Sequence, residues 1–115
     1  MKPAPRLPAP FAYDGPPELL EPVARALRRV VDPEVAMDIL DVGLVYGVRV
    51  RGRDLEVDVT MTSPACPVAD VIVTDIENEL DRELPPDMRI RVGLVWEPPW
   101  TSDRMSDSAK AFMGW

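Results

Sequence analysis

Three stretches of this chain alternate apolar and polar residues with a period of two. That alternation limits the possible folds more than any other feature. In GLVYGVRVR, Leu44, Tyr46, Val48 and Val50 fall on one face, with Val45, Gly47, Arg49 and Arg51 opposite. In DLEVDVTMT, Leu55, Val57, Val59 and Met61 oppose Glu56, Asp58, Thr60 and Thr62. In MRIRVGLVW, Met88, Ile90, Val92, Leu94 and Trp96 oppose Arg89, Arg91, Gly93 and Val95. Each predicts a strand with one apolar face, the pattern of a sheet covered by helices on one side only. Gly52 joins the first two strands as an antiparallel hairpin. Arginines of the first and third strands then face the acids of the second.

Helical spacing fills the intervals. Leu19, Leu20, Val23, Leu27, Val30 and Val31 make one apolar stripe, which Pro33 ends by disfavouring helical geometry at Asp32. Ala69, Ile72, Val73, Ile76, Leu80 and Leu84 make a second, closed by Pro85-Pro86. Met105, Ala109 and Phe112 share one side of a last helix, with Gly114 as its terminator. The predicted fold is a small α/β (α+β) two-layer sandwich in the order α-β-β-α-β-α. Its three-stranded mixed sheet carries the helices on one face. The helix between strands two and three is a crossover, so those strands run parallel. Residues 1–17 hold six prolines, including a PxxP match at residues 5–8, and read as a disordered, solvated tail. Residues 18–115 are the folded domain.

Composition removes several function classes. The chain is 115 residues long, one domain in size, with a formal charge of −7. Affinity for nucleic acid comes mainly from Lys and Arg neutralising phosphates, so an acidic chain argues against nucleic-acid binding. No apolar run approaches a membrane span, and no signal-peptide core opens the chain. One cysteine makes no internal disulfide, so a cytoplasmic protein is expected. No histidine is present, which excludes Cys–His pairs and Ser–His–Asp triads. It also leaves no closed structural zinc site within one chain.

The strand directions bring three unusual loops to one end of the sheet. Asp32-Pro33-Glu34 and Asp41-Val42-Gly43 precede strand one. Thr62-Ser63-Pro64-Ala65-Cys66-Pro67 leaves strand two, and Glu97-Pro98-Pro99-Trp100-Thr101 leaves strand three. Loops beyond strand ends are where α/β folds place their chemistry. Pro67 suits a first helical position, which puts Cys66 at or near the N-cap. Free N–H groups and the helix dipole lower a thiol pKa there, while the carboxylates of Asp32 and Glu97, if close, oppose the shift. A lone cysteine is equally well read as a small buried hydrophobe, and both readings stand on residues alone. Trp96 fits the inner face of strand three. Trp100 and Trp115, in a loop and at the chain end, mark a candidate partner surface.

Four motifs in order, DPE at 32–34, DVGLVY at 41–46, TMTSPACP at 60–67 and EPPWTSDRMS at 97–106, resemble the SufT/PaaD-like family of iron–sulfur cluster assembly domains. The cytosolic iron–sulfur targeting factor of eukaryotes is among its relatives. The resemblance covers residues 20–114. It implies a non-catalytic accessory factor for assembly, carriage or delivery of iron–sulfur clusters, often a homodimer, with a functional Cys66 and Asp32 beside it. In this reading Cys66 is a transient ligand to iron or cluster. Asp32 and Glu34 tune the thiol or supply a weak oxygen ligand, with Glu97 nearby. Thr62, Ser63 and Thr101 donate hydrogen bonds. Iron or an iron–sulfur cluster is the transient cofactor, absent or present in the purified protein. Scaffold proteins and client apoproteins are the partners. Family members of phenylacetate degradation carry an extra cysteine-rich segment that this sequence does not show, which favours the general assembly branch. The rival readings are a thiol or persulfide sulfur carrier and a metal-free protein adaptor.

Overall fold

The computed structural model describes residues 11–33, 35–61 and 69–114. The alternating stretches become β4 (Val45–Arg51), β5 (Asp54–Val59) and β6 (Arg89–Leu94). β4 and β5 are antiparallel, with Val48 opposite Val57 and Val50 opposite Leu55. β5 and β6 are parallel, with Val57 opposite Val92 and Val59 opposite Leu94. α3 (Ala69–Glu83) makes the crossover between them, and α1 (Pro17–Arg28) packs beside α3. The expected sheet with helices packed on one face is therefore present. Leu27, Leu55, Ile72, Ile76 and Leu80 are fully buried between the layers. Burying each such side chain contributes about 1.5–3 kcal/mol.

The polar side of the sheet is a lattice of ion pairs. Arg49 reaches Asp58 at 2.8 Å and Glu56 at 3.0 Å, and Arg89 reaches Asp54 at 2.7 Å. The arginines of β4 and β6 thus face the acids of β5, as alternation requires.

Four features depart from the sequence expectations. First, among the described residues the main sheet has four strands, in the order β1-β4-β5-β6, because β1 (Ala12–Asp14) runs parallel to β4. Phe11 is buried in the core. Part of the proline-rich segment assigned to a disordered tail, from Phe11 onward, therefore belongs to the domain, and its boundary is earlier than residue 18. Residues 1–10 lie outside the described residues.

Second, α1 ends at Arg28 rather than running to Pro33. Val31 leaves the helix for a two-stranded sheet of β2 (Val31–Asp32) and β3 (Met37–Asp38), and is exposed. β-branched Val30 and Val31 suit extended backbone better than a final helical turn.

Third, the register of β4 shifts between Val45 and Gly47. The bulge sets Val45 opposite Val59, with both buried, and leaves Tyr46 partly exposed. One extra residue reverses the alternation locally. Fourth, Trp96, expected on the inner face, is 42% exposed.

The two helices are clamped by charge. Arg29 donates to Glu79 and Glu83 at 2.7 Å each, and Arg25 donates to Glu83 at 3.0 Å. The Arg29 guanidinium holds both carboxyls below their ordinary value near 4.5. A carboxyl depressed in the folded state stabilises it above the unfolded pKa and loses that contribution as pH falls through the folded pKa. Arg29→Ala is therefore expected to lower stability modestly above about pH 4.5, where both pairs are formed, and to flatten the fall in stability below it, so that the two curves converge in acid. Urea titrations between pH 3 and 7 check this. Parallel curves for the two proteins would refute it.

Candidate functional site

The start of β4 and the ends of β5 and β6 lie level with one another, since Val45 pairs with Val59 and Val59 with Leu94. Local chemistry builds the surroundings of this sheet end. In MDILDVG, the Asp38 carboxylate accepts from Leu40 N and Asp41 N at 2.9 Å and caps a one-turn helix, α2 (Ile39–Val42). Burial, chiefly, pushes the Asp38 carboxyl above its ordinary range; the two backbone N–H groups oppose this. Gly43 ends the turn at φ 83°, with its N–H bonded to Ile39 O and Leu40 O. The DVG segment, read from sequence as a loop, is thus the end of a capped helical turn.

Asp32 sits in a tight turn. Its carbonyl accepts from Ala36 N at 2.8 Å and Val35 N at 3.3 Å, with Ala36 in the left-handed region at φ 59°. The residue is only 1% exposed, and its interactions do not leave it without a partner. Ile39 N bonds Val30 O at 3.0 Å, which ties this turn to the start of α2. The backbone therefore joins two of the motifs, DPE and DVG, through one short stretch.

The chain after β6 folds back across the same sheet end. The Glu97–Pro98 peptide is cis. Tyr46 OH donates to Pro98 O at 2.6 Å, and Trp100 Nε1 donates to Val42 O at 2.8 Å. A 3₁₀ turn, Ser102–Arg104, brings the Arg104 guanidinium over the Tyr46 ring at 4.2 Å. Ser106 N then bonds Asp41 O at 2.8 Å. The Ser106 side chain caps α4 (Asp107–Met113), and Gly114 ends that helix in the left-handed region. Met105 and Ala109 are buried, whereas Phe112, expected beside them, is 72% exposed.

Three motifs are brought together in this way: 41–43, 60–61 and 97–106. Glu97 and Thr101 are exposed, and Thr101 O accepts from Arg104 N at 3.0 Å. Trp100 is half-buried against the core, its indole N–H committed to Val42. Cys66, Thr62, Ser63, Glu34 and Trp115 lie outside the described residues, and so does the expected capping of α3 by Cys66 and Pro67. The segment that carries Cys66 departs from Met61, which is buried, and rejoins at Ala69, the first residue of α3. Among the described residues, no group of three His, Cys, Asp or Glu could hold a metal ion.

Sequence reading passed over Thr60 as one more residue on a polar face. It is buried, and among the described residues its Oγ1 has no hydrogen-bond partner. Its N–H bonds Leu44 O at 2.8 Å, and Val95 N bonds Val59 O at 2.9 Å, so it stands centrally at this end. A buried hydroxyl without a partner costs about 1–3 kcal/mol. Thr60→Val keeps the shape and removes the hydroxyl. It is expected to raise stability by about 1 kcal/mol in denaturant titrations. A loss of stability would mean that the hydroxyl is satisfied in solution.

Fold and site define a small α/β domain that presents segments 41–43, 60–61 and 97–106 at one sheet end. The chain belongs to the iron–sulfur cluster assembly protein family, whose model matches residues 20–92. It is 42% identical over 97 residues to the Fe-S protein maturation auxiliary factor YitW of Bacillus subtilis, covering 84% of this chain and 94% of that protein. It is 42% identical over 86 residues to the Fe-S protein maturation auxiliary factor SufT of Staphylococcus aureus, covering 74% and 97%. A solved domain of unknown function from Bacillus anthracis superposes with a TM-score of 0.76 at 38% identity, covering 82% of this chain and 90% of that one. No helix among the described residues is long and apolar enough to cross a membrane.

Proposed function

We propose that this protein is a non-catalytic accessory factor in iron–sulfur protein maturation, which handles iron or a cluster as transient cargo through Cys66. One observation carries the reading. The family match over residues 20–92 takes in both the Asp32 turn and the segment bearing the single cysteine, and relatives matched over most of their length are named maturation auxiliary factors.

The ligand inventory sets the character of the cargo site. Clusters are usually held by four thiolates. This chain has one cysteine and no histidine, so one copy does not close such a site. In a homodimer two Cys66 thiolates contribute, and carboxylates, a small thiol or a client's cysteines supply the rest. Such cargo is labile, which suits delivery. The buried Asp32, with Glu34, tunes the Cys66 thiol or offers a weak oxygen ligand. Thr62, Ser63 and Thr101 donate hydrogen bonds near the sulfur, with the Glu97 carboxylate at the rim. Trp100 supports the site by pinning the folded-back segment to Val42; Trp115 belongs to a partner contact. Scaffold proteins and client apoproteins are the partners, and the cytoplasm is the compartment that suits a single free thiol.

The test is transfer. Protein loaded anaerobically with iron and sulfide should pass its cargo to an apo client, and Cys66→Ala should neither load nor transfer. Undiminished loading of the alanine variant would overturn the reading.

A further inference from the structure

Among the described residues, β6 is the last strand of the main sheet. Arg89 N bonds Arg53 O at 2.7 Å and Val95 N bonds Val59 O at 2.9 Å. In a parallel ladder, alternate amides turn toward the neighbour. Odd-numbered amides of β6 thus face β5, and those of Ile90, Val92 and Leu94 face the open edge.

An open edge is normally blunted by bulges, prolines or covering elements. Here it is flanked by uncovered apolar side chains, Leu94 at 39% exposure and Trp96 at 42%. Beside it, a groove of about 330 Å³ runs between α3 and β6, lined by Glu77, Asn78, Asp81, Met88 and Ile90. Glu77 and Asp81 are exposed and make no ion pair among the described residues. Their neighbours Glu79 and Glu83 are already paired with arginines. The helix side of the edge is therefore acidic at one end and apolar at the other. The opposite side carries Arg89 and Arg91.

We propose that β6 is a docking edge for an extended segment of a partner protein, which pairs with the outward amides of β6. Its side chains toward α3 are basic beside Glu77 and Asp81 and apolar beside Leu94 and Trp96. Main-chain pairing supplies affinity, and the alternating side chains supply selectivity. Charge disfavours a second copy as the occupant, because antiparallel edge-to-edge pairing would set Glu77 and Asp81 beside the apolar Leu94 and Trp96 of the other copy, which offer no cation. Leu94 is level with Val59, two residues before Met61, where the segment bearing Cys66 departs. A strand docked here runs to the sheet end from which that segment departs.

The probe is an acetylated, amidated heptapeptide, Lys-Thr-Lys-Thr-Ile-Thr-Ile, together with its reversed sequence to cover both strand directions. A control replaces each lysine with glutamate. Amide hydrogen exchange of the full chain at millimolar peptide should show new protection at Ile90, Val92 and Leu94. The glutamate control, and the double variant Glu77→Lys with Asp81→Lys, should bind at least about tenfold more weakly. Trp96→Ser should weaken binding without altering the lysine preference. The measurement is repeated on Cys66→Ala, which should bind equally, so a failure of the docking edge is distinguished from a failure of the cargo reading. No added protection at those three amides with either peptide direction, or equal binding of the glutamate peptide, would overturn the proposal. So would a concentration-dependent dimer abolished by Trp96→Ser, which would assign the edge to a second copy.

Discussion

Cys66→Ser should abolish iron and sulfide loading and the maturation activity that depends on it, while the melting temperature stays within a few degrees of wild type. The reasoning joins ligand chemistry to position. A serine hydroxyl is far less readily ionised than a thiol and lacks the soft sulfur that iron and clusters favour. No other thiol or imidazole in the chain replaces it. The residue falls between Met61 and Ala69, outside the described residues. Serine is also well tolerated where a connection enters a helix. The proposed role sets Cys66 apart from the packed interior, and substitutions at such positions typically change stability by less than about 0.5 kcal/mol. A large drop in melting temperature without a specific loss of loading would instead mark Cys66 as a packing residue.

Gly43→Ala should be the most damaging small substitution in the chain. At φ 83° an alanine adopts the left-handed conformation at a cost of about 1–2 kcal/mol. Its Cβ would also stand 2.2 Å from Arg104 O and 2.6 Å from Arg104 C, which are backbone atoms without a rotamer to escape into. Relief requires moving the segment that carries Arg104 away from α2. That breaks the Ser106–Asp41 hydrogen bond and disturbs the Arg104–Tyr46 stack. We expect a loss of more than about 2 kcal/mol, or roughly 8 °C or more in melting temperature for a domain of this size. Amide exchange at Ser106 should rise disproportionately. Gly47→Ala is the control, because its Cβ would meet Ala12 O at an ordinary 3.5 Å. Equal stability for the two variants would contradict this account of the folded-back segment.

Much of the architecture was legible in sequence because it follows from periodicity. The pairs Val48–Val57 and Val57–Val92, and the helix stripe Ile72–Ile76–Leu80, need only one buried face each. The departures come where tertiary context decides. β1 is three residues long, too short for alternation to register, and is held by pairing with Gly47 and by Phe11 in the core. The bulge at Tyr46 answers to Pro98 and Arg104, more than fifty residues away. Trp96 matched the alternation yet stays exposed, since alternation names a face and not whether that face is covered. At the site, the convergence of the 41–43 and 97–106 motifs followed from strand directions. The capping of α2 by Asp38 has its sequence signal in MDILDVG, an acidic residue directly before the helical turn. The unpartnered Thr60 hydroxyl had no sequence signal, because burial on a polar face depends on what lies over it.

Native mass spectrometry of the anaerobically reconstituted protein, with Cys66→Ala in parallel, tests the central claim most directly. The wild type should carry iron and sulfide on dimers, at no more than about one cluster per dimer by ligand count, and should lose them quickly to a chelator. The alanine variant should carry none. Equal iron uptake by Cys66→Ala, or a chelator-resistant cluster on a single chain, would contradict the assignment of Cys66 as the cargo ligand.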